Sequence, residues 1–547
     1  MALFTAEEIA ELGTYVSDPI GNIFVVYGMP GLVGAIFARY SRAPRGFRET
    51  LLKEFIKEGK VDVKKASDLI ERVLVEFGDE SVAELEGTHI SLEDISNLAT
   101  NIIEDKRIGG SPIEQSSRYV VYDQRDKEGN FRYYRDPRIM ASQHGEAFIS
   151  GMNTVFEIYT HLITKVTEFL KQLKPLEIAE YAIKPNDQKK YRLEELTTEA
   201  DRKSFNQTYG FDINSKACDS VRCLLPVATK TNVGIFGNGR FFQNMLTQLY
   251  SEDALPEMQS IGTRAHIQLN STIEKFVKRA KRSEYLIQTR SNMQALTDRL
   301  LGTTQEVKNP ESVSLLGNQG DMTYVRDSIA QMLFKYCHLS LPELRLRVGK
   351  LSGKQQYEII QTYIGNRKTR FDRSGRALET GYPLTFNLIG DFGMYRDLHR
   401  HRMLTQERQL LTAEYEFVMP TTLKEAGFEA EVQQCINISH TLWERIANDI
   451  SPETAQYAVL FGFPIQFMMV INMREAQHML ELRTGKQGHP AYRQMCQEMN
   501  RKITERFPEL AEVTSFVDNN DYFWSRAESE ARQRQKEAVL NREEKKQ

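Results

Sequence analysis

Apolar residues recur at helical spacing along much of the chain, and short apolar runs lie between the helical stretches. Residues 63–77 place their apolar side chains on one helical face, and Gly78 follows as a C-terminal stop. Residues 145–173 predict a second long helix. The runs YVVYD at 119–123 and PLTFNLI at 383–389 predict β-strands. Helices therefore dominate the prediction, with a mixed sheet in each half, which is an α+β fold.

Several sequence patterns occur twice. AIFARYSR at 35–42 resembles MLFKYCHL at 332–339, GDESVAELEG at 78–87 corresponds to DRSGRALETG at 372–381, and DKRI at 105–108 corresponds to HRHR at 399–402. The offsets, 297, 294 and 294, are nearly constant, which indicates a duplication. A fourth pair, GNGRFFQNML at 237–246 and INMREAQHML at 471–480, is offset by only 234. The first copy therefore carries extra residues.

These offsets define the predicted domain organisation. We predict two homologous repeats, 1–300 and 301–525. The polar stretch 174–216 accounts for the longer first copy and is interpreted as an insert or lid. Residues 526–547 are charged and nearly devoid of large apolar side chains, which is typical of a solvated or frayed tail.

Composition narrows the class of protein. The chain has 547 residues, and 41% of them are hydrophobic, which is enough for substantial cores. Its 71 basic and 74 acidic residues leave a net charge of −3, so we expect neither a nucleic-acid nor a membrane partner. Five cysteines without a CxxC pair indicate a reducing, cytoplasmic location. The N-terminus does not resemble a signal peptide, and no unbroken apolar run of about 20 residues occurs.

The stretch DLHRHRMLTQER, at 397–408, is the strongest chemical cluster. Arg400, His401 and Arg402 place two fixed cations around an imidazole. Guanidinium groups suit phosphate and planar carbonyl groups because they donate paired hydrogen bonds. The alternative is a basic surface stretch partnered by Glu407. A metal site built on His399 and His401 is not expected, because no carboxylate or cysteine ligand set accompanies them.

Two further patterns carry polar side chains in regular positions. In SPIEQSSRY, at 111–119, Glu114, Ser116 and Arg118 alternate, so an extended backbone would project them to one side. They could then grip a ligand that bears hydroxyl, amide and phosphate groups. The alternative is a polar loop that enters the strand YVVYD.

The other pattern is a helix start that occurs in both repeats. Asn238 is a good N-cap residue, and Arg240 and Asn244 share one face of the helix that it begins. Asn472, Arg474 and His478 repeat the arrangement. Arginine near the positive end of a helix dipole is compatible with a phosphate or flavin-pyrophosphate site. The alternative is an ordinary capped helix with exposed polar groups.

These motifs resemble the flavin-dependent thymidylate synthases, whose signature runs from Arg-His-Arg to a serine and then to Arg-Tyr. The second repeat has Arg400-His401-Arg402, but Leu410 and Thr412-Ala413 stand where the serine and Arg-Tyr are expected. The first repeat has Lys106-Arg107-Ile108, yet it keeps Ser116 and Arg118-Tyr119, with Ser111 and Glu114 also matching. Each repeat thus retains one end of the signature.

The division continues downstream and upstream. The family's nucleotide-contacting arginine corresponds to Arg222 in the first repeat and to Gln456 in the second. Its late arginine, which helps to ionise the pyrimidine N3, corresponds to Leu249 and Arg483 respectively. Upstream, Ser41, Ser81 and Glu84 resemble flavin contacts, and Glu379 is the counterpart of Glu84. Asp397 stands at the position of a glutamine in the family.

The resemblance implies one composite site made from complementary sets of residues. It implies a catalytic set of Arg483, Ser116 and Arg118, and a substrate-binding set of Glu114, Gln115, Ser116, Ser117, Arg118, Arg222, Asp397, Arg400 and Arg483. The implied flavin set is Arg400, His401, Arg402, Asn472, Arg474, His478, Ser81, Glu84, Asn238, Arg240 and Asn244. A second site built from the counterpart positions should be inactive. Those positions are Lys106, Ile108 and Leu249 of the first repeat and Leu410, Thr412 and Gln456 of the second.

The implied reaction is the methylation of dUMP to dTMP. FAD is the implied cofactor, NADPH and methylenetetrahydrofolate are the implied co-substrates, and a homodimer is the implied assembly. The diluted motifs leave a second hypothesis open. In it, an atypical flavin- or nucleotide-binding paralogue serves a regulatory, structural or RNA-uridine-modifying role.

Overall fold

The computed structural model describes residues 4–20, 24, 26, 33–40, 46–57, 60–61, 84–106, 108–184, 189–301, 311–316, 321–334, 341–365, 367–369, 374–379, 381 and 384–524. The predicted helix at 63–77, the tail at 526–547 and the predicted flavin contacts Ser41 and Ser81 lie outside these residues.

The structure is a mixture of helices and sheets, as predicted, and the described strands pair in an antiparallel manner. The helices are α1 (Ala6–Leu12), α2 (Val33–Tyr40), α3 (Phe47–Thr50), α4 (Asn97–Glu104), α5 (Pro137–Ala141), α6 (Gly145–Leu173), α7 (Glu199–Val221), α8 (Gly239–Ser251), α9 (Pro256–Val277), α10 (Glu284–Leu301), α11 (Asp321–Phe334), α12 (Leu341–Val348), α13 (Gly353–Ile364), α14 (Phe392–His399), α15 (Thr421–Glu425), α16 (Glu429–Asp449), α17 (Pro452–Ala455), α18 (Met473–Arg483) and α19 (Pro490–Arg506).

The strands are β1 (Ile56–Lys57), β2 (Lys60–Val61), β3 (Gly87–Ser96), β4 (Gly110–Glu114), β5 (Lys230–Asn238), β6 (Val313–Leu315), β7 (Leu384–Asp391), β8 (Leu404–Arg408) and β9 (Pro464–Ile471). Short 3-10 turns occur at Leu193–Glu195, Arg222–Leu224, Arg376–Glu379, Gln456–Ala458 and Pro508–Thr514. Among the described helices, none is long and apolar enough to span a bilayer.

Two compact units divide the chain. Unit 1 comprises Met1–Gln115, Tyr134–Pro137 and Lys230–Gln305. Unit 2 comprises Ser116–Tyr133, Arg138–Thr229 and Glu306–Gln547. Unit 2 therefore takes a large part of its residues from the first predicted repeat. The repeat boundary at 300/301 stays a prediction from sequence.

Unit 1 is built on a three-stranded antiparallel sheet in the order β3-β5-β4. Its central strand β5 alternates buried and partly exposed residues, as expected of a sheet with one covered face. Helices α8 and α9 pack together, and Glu257 at the start of α9 accepts hydrogen bonds from the backbone N–H and the hydroxyl of Ser96. Asn238 ends β5 and caps α8, which confirms the predicted helix start.

Unit 2 contains a four-stranded antiparallel sheet in the order β6-β7-β9-β8. Strand β7 confirms the strand predicted at 383–389, and Asn472 ends β9 and caps α18. The strand, asparagine and helix found in unit 1 thus recur here with the same local geometry. This recurrence agrees with two repeats of one mixed fold.

Helix α6 confirms the helix predicted at 145–173. Its buried residues, among them Phe148, Met152 and Val155, follow the three-and-four spacing of an amphipathic helix. It packs against α7 and α16, and Gly151 allows close approach because a methyl group there would lie 2.9 Å from atoms of Ile438 and Leu442.

The strand predicted at 119–123 is wrong. Tyr119 and Val120 donate backbone hydrogen bonds to the carbonyl of Ser116, so the chain turns directly after β4. For the same reason, the predicted one-sided row of Glu114, Ser116 and Arg118 does not form. Tyr119 instead stacks on Phe211 of α7, with ring centroids 5.6 Å apart.

The predicted insert at 174–216 has a small apolar core. It consists of Ala179, Tyr181, Ile183, Leu196 and Phe205. The ring of Phe205 meets Tyr181 edge-on at 5.2 Å. From Glu199 onward the segment is part of α7, so its packing is continuous with a long helix of unit 2.

We expect Phe205→Ala to destabilise this core by about 3–5 kcal/mol, because the substitution leaves a cavity where a fully buried ring stood. Ile178→Ala, in the same segment, removes a side chain that is 59% exposed and should change little. Thermal unfolding followed by circular dichroism measures both variants. Equal, small shifts would show that this core contributes nothing to stability.

Candidate functional site

Arg118 and Asp219 form a buried ion pair at the centre of the site in unit 2. Arg118 lies in the turn after β4, and Asp219 lies in the last turn of α7. The Arg118 Nε and Nη2 groups donate to the two Asp219 carboxylate oxygens, each at 2.6 Å. Its Nη1 donates to the Tyr492 hydroxyl at 3.1 Å. Three separate segments are thereby joined through one guanidinium.

Charge pairing keeps both members ionised. Burial alone raises the pKa of the Asp219 carboxyl, but the charge and hydrogen bonds of Arg118 outweigh burial and lower the pKa to about 2. The pKa of Arg118 is raised in return, because the attraction of Asp219 exceeds the cost of burial. Removal of either partner would leave an uncompensated buried charge.

Arg222, directly after α7, is buried but incompletely bonded. Its Nη2 atom has no hydrogen-bond partner among the described residues. Its Nη1 atom lies 3.8 Å from the Asp397 carboxylate, which is too long for a hydrogen bond. Gly393 faces the guanidinium, and a methyl group there would lie 3.4 Å from the Arg222 Cζ. A buried unsatisfied cationic donor is costly unless a ligand supplies an acceptor.

Asp397, near the end of α14, is a carboxylate among arginines. Burial raises the pKa of this carboxyl, but the nearby positive charges lower it by more, so the net shift is downward and the group stays ionised near neutral pH. These charges belong to Arg222, Arg118, Arg483 and Arg400. Asp391 differs: it caps α14 by accepting from the Met394 N–H, and burial raises the pKa of its carboxyl.

His401, Glu475 and Arg483 form a second chain of contacts. His401 Nδ1 lies 3.0 Å from the Glu475 carboxylate, and Arg483 Nε donates to His401 Nε2 at 2.9 Å. Arginine is only a donor, so His401 must accept at Nε2 and carry its proton on Nδ1. Burial and the adjacent Arg483 charge lower the pKa of His401 well below its usual value, which keeps the imidazole neutral.

Tyr492, in the first turn of α19, connects these two groups of residues. The Cζ atoms of Arg118 and Arg483 each lie 5.7 Å from the centre of its ring. His489 caps the same helix by accepting from the Ala491 N–H, and its Nε2 lies 3.4 Å from the Asp219 carbonyl. Burial, followed by the charge of Arg222, lowers the pKa of His489 to about 3.

The helix-start residues are arranged alike in both units. In unit 2, Asn472 accepts from the Glu475 N–H at 2.9 Å, and Arg474 pairs with Glu379. In unit 1, Asn238 accepts from the Phe241 N–H at 2.8 Å, and Arg240 pairs with Glu84 at 2.7 Å. The structure thus places Glu379 as the counterpart of Glu84. In addition, His478 lies edge-on to His401, and Asn244 is exposed.

The remaining predicted site residues are divided between the units. Ser116 and Ser117 lie in the same turn as Arg118, where the Ser116 hydroxyl accepts from the Arg118 N–H and Ser117 is buried. Arg400 and Arg402 of unit 2 are exposed beside His401. Glu114 and Gln115 belong to unit 1, where the Gln115 amide oxygen accepts from Asn232.

His401, Glu475 and His478 also lie close enough to be considered as metal ligands, with candidate atoms within 4.8 Å of one another. Their hydrogen bonds oppose that use. Metal ligation through His401 Nδ1 would move its proton to Nε2, which then faces the Arg483 N–H. The arginine charge also repels a cation. His399 stacks on Tyr395, with ring centroids 5.2 Å apart.

The counterparts of Arg222 and Arg483, which were expected to be inactive, contribute to packing and hydrogen bonding inside their units. Gln456, the counterpart of Arg222, is buried, accepts from the Leu411 N–H and donates to the Glu453 carbonyl. Leu249, the counterpart of Arg483, is buried against Gly262 of α9. Within the described part of the chain, neither side chain has a buried polar atom without a hydrogen-bond partner, whereas Arg222 has one.

Sequence reasoning missed four residues of this site: Asp219, Glu475, His489 and Tyr492. Asp219 precedes Arg222 by one helical turn, and Glu475 precedes His478 by one turn, so helical spacing offered a clue to each. His489-Pro490 is a recognisable helix start. Nothing in the local sequence links Tyr492 to Arg118.

The profile of the family described as "Thymidylate synthase complementing protein" matches residues 32–272 and 356–509, one segment in each predicted repeat. UPF0159 proteins of Chlamydia muridarum and Chlamydia pneumoniae are each 33% identical to the chain, covering 97% of it and 98% of the relative. A UPF0159 protein of Thermoplasma acidophilum is 27% identical, covering 91% and 98%. Among solved structures, the UMP/dUMP methylase PolB from Streptomyces cacaoi, bound with 5-Br dUMP, matches 38% of the chain and 95% of its own at 16% identity and a TM-score of 0.28.

We expect Asp219→Asn to cost about 3–5 kcal/mol, because it leaves the Arg118 charge buried without its partner. The folded pKa of Asp219, about 2, lies below the unfolded value of about 3.9, so the stabilisation is fully present above that value and is lost as pH falls toward 2. The thermal midpoint of the wild type should therefore fall more steeply in that window than that of the variant. Glu444→Gln, on the exposed face of α16, is the control. Parallel pH curves for wild type and Asp219→Asn would contradict the assignment.

Proposed function

The chain belongs to the thymidylate synthase complementing protein family, and from this premise we propose that it is a flavin-dependent enzyme that methylates dUMP to dTMP. Methylenetetrahydrofolate would supply the carbon and NADPH the reducing equivalents. The observation that carries the proposal is the meeting, within unit 2, of Arg118 and Arg222 from the first repeat with His401 and Arg483 from the second.

Arg222 is the residue that we assign to the nucleotide phosphate. Its Nη2 is buried without a partner among the described residues, and a guanidinium is well suited to phosphate oxygens. Ser116 and Ser117 occupy the neighbouring turn and add hydroxyl groups. Arg118 is already engaged with Asp219 and Tyr492, so it contributes chiefly by fixing this turn.

Arg483 is the residue that we assign to the pyrimidine. His401 accepts from Nε and thereby fixes the plane of the guanidinium, while the terminal nitrogens remain able to donate to a carbonyl oxygen. A cation held in this way stabilises negative charge that develops on the ring, which makes C5 more nucleophilic. Because burial and the Arg483 charge lower the pKa of His401, its imidazole is neutral and can accept this hydrogen bond without repelling the arginine.

The residues around α18 suit a flavin nucleotide. Two exposed guanidinium groups, Arg400 and Arg402, lie in the stretch that carries His401, and Asn472 and Arg474 begin a helix whose N-terminus favours anions. The rings of His401 and His478 lie edge-on to each other in the same place, with centroids 5.6 Å apart. When bound, FAD would supply hydride transfer. We also propose a second flavin-binding set at the corresponding positions of the first repeat. It consists of Ser81, Glu84, Asn238, Arg240 and Asn244.

The proposed phosphate and pyrimidine contacts do not require the homodimer that the resemblance implies. The resemblance implies a homodimer, but the arginines assigned to phosphate and pyrimidine belong to unit 2 of one chain. The alternative, an atypical flavin- or nucleotide-binding paralogue, predicts ligand binding without dTMP formation. Assays of the purified protein for flavin absorbance and for dTMP distinguish the two.

We expect Arg222→Ala and Arg483→Ala each to lower kcat for dTMP formation by about 10²–10³-fold, the usual effect of removing one electrostatic donor. Arg445→Ala, on the exposed face of α16, should leave activity unchanged. Mixing the two inactive variants should restore nothing, because both residues belong to unit 2 of the same chain. Recovery on mixing would show that the site forms between chains.

We expect Arg474→Ala to weaken FAD binding by about tenfold, the equivalent of one charge-assisted hydrogen bond. Arg240→Ala removes the same side chain at the corresponding position of unit 1, where the pair with Glu84 is more exposed, and should have a smaller effect. Titration of visible flavin absorbance measures both. An unchanged affinity in both variants would exclude these helix starts as flavin sites.

A further inference from the structure

Arg493 is a buried arginine that the proposed mechanism does not use. It lies in the first turn of α19, directly after Tyr492, and it is 3% exposed. Its Nε donates to the backbone carbonyl of Thr484 at 2.8 Å and to that of Gly485 at 3.1 Å. Both carbonyls follow Arg483, the last residue of α18. The Arg493 guanidinium therefore binds the end of the helix that carries Arg483.

The end of α18 gains from such a partner. The last carbonyls of a helix accept no hydrogen bond from their own helix, and a cation there also meets the negative end of the helix dipole. Gly488 makes room for the contact, because a methyl group there would lie 2.6 Å from the Arg493 Cγ and 2.9 Å from the Arg483 carbonyl oxygen. A residue with a side chain at this position would force the two arginines apart.

A second set of contacts holds Arg493 from its other end. The Nη2 group donates to the Asn520 carbonyl at 2.9 Å, and the Cζ atom lies 4.8 Å from the centre of the Tyr522 ring. Next to these contacts, the Asp518 N–H donates to the Thr484 hydroxyl at 3.1 Å. One guanidinium thus joins the end of α18 to the segment 518–524.

The segment 518–524 is in turn anchored on α6 and α7. The Nζ of Lys216, in α7, lies 4.0 Å from the centre of the Phe523 ring. The Nζ of Lys174, at the end of α6, lies 4.9 Å from the centre of the Trp524 ring. A cation is attracted to the face of an aromatic ring. Since α7 leads directly into Arg222, these contacts relate the end of α18 to the helix that precedes the phosphate-binding arginine.

We propose that Arg493 is a positioning residue for Arg483: it holds the end of α18 against the segment 518–524, and it thereby sets where the Arg483 guanidinium meets the pyrimidine. The inference rests on the proposed function, since it takes Arg483 to be the pyrimidine-binding arginine. His401 fixes the plane of the Arg483 guanidinium, whereas Arg493 fixes the backbone from which that side chain extends. Arg493 itself needs no contact with the nucleotide.

The test compares dUMP with 2-deoxyribose 5-phosphate, which keeps the sugar and the phosphate but lacks the base. Displacement calorimetry on the full-length protein gives the ratio of the two dissociation constants, which measures the contribution of the pyrimidine. We expect Arg493→Met, which keeps the stem but loses the donors, to lower this preference for dUMP by about tenfold, the equivalent of one charge-assisted hydrogen bond. Binding of the sugar phosphate should not change, because its phosphate is assigned to Arg222.

Three further variants sharpen the comparison. Arg493→Lys keeps the charge but lacks the fork that reaches both sides, so it should retain part of the preference. Arg501→Ala removes an exposed arginine of the same helix and should match the wild type. The double variant Arg493→Met/Arg483→Ala should differ from Arg483→Ala by less than about twofold, because a residue that acts through Arg483 has no effect once that side chain is gone. Thermal midpoints show which variants are folded, and Arg493→Lys carries the comparison if Arg493→Met is not.

The outcomes separate this inference from the proposed function. Equal loss of affinity for both ligands in Arg493→Met, or an undiminished effect of this substitution in the Arg483→Ala background, would overturn the positioning role and leave the proposed function standing. If the wild type binds dUMP no better than the sugar phosphate, the assignment of Arg483 to the pyrimidine and the role of Arg493 are both wrong. If the variants behave as expected but the wild type forms no dTMP, the proposed reaction is wrong and the role of Arg493 stands.

Discussion

The buried ion pair between Arg118 and Asp219 is the interaction on which the site in unit 2 depends. It fixes the turn that follows β4 to the end of α7, and through Tyr492 it reaches the start of α19. Arg222 follows α7 directly, so the same contact also sets the position of its guanidinium, whose Nη2 has no hydrogen-bond partner in the described part of the chain. A charge pair in such a place favours one arrangement of three segments over any other, because each alternative leaves a bare charge in the interior.

The sequence predicted the parts of the structure that local patterns control. Helix α6, strand β7 and the two asparagine caps follow from apolar spacing and from the hydrogen-bonding capacity of one side chain. The predicted strand at 119–123 failed because its residues have β propensity while Arg118, just before them, is drawn to a carboxylate of α7. The partnerships of Arg118 with Tyr492 and of Arg483 with His401 join residues far apart in the chain, and no local pattern encodes them.

The two repeats have diverged in a physically consistent way. Where the first repeat has Arg222, the second has a glutamine whose hydrogen bonds are satisfied by its own surroundings. Where the second repeat has Arg483, the first has a leucine packed in a core. Burying an unpartnered guanidinium is expensive, so a position that no longer meets a ligand is better filled by a self-satisfied or apolar side chain. At both positions, the residue that stands in place of the arginine is accommodated by its own surroundings.

The location of complementary residues in one compact unit of one polypeptide has a consequence for how the protein behaves at low abundance. A site shared between separate subunits is populated only when the subunits are concentrated enough to associate. In the proposed function both contributions come from one chain, so their effective concentration would be set by the chain and would be insensitive to dilution. A duplicated chain that carries the proposed site would therefore need no association of subunits to form it.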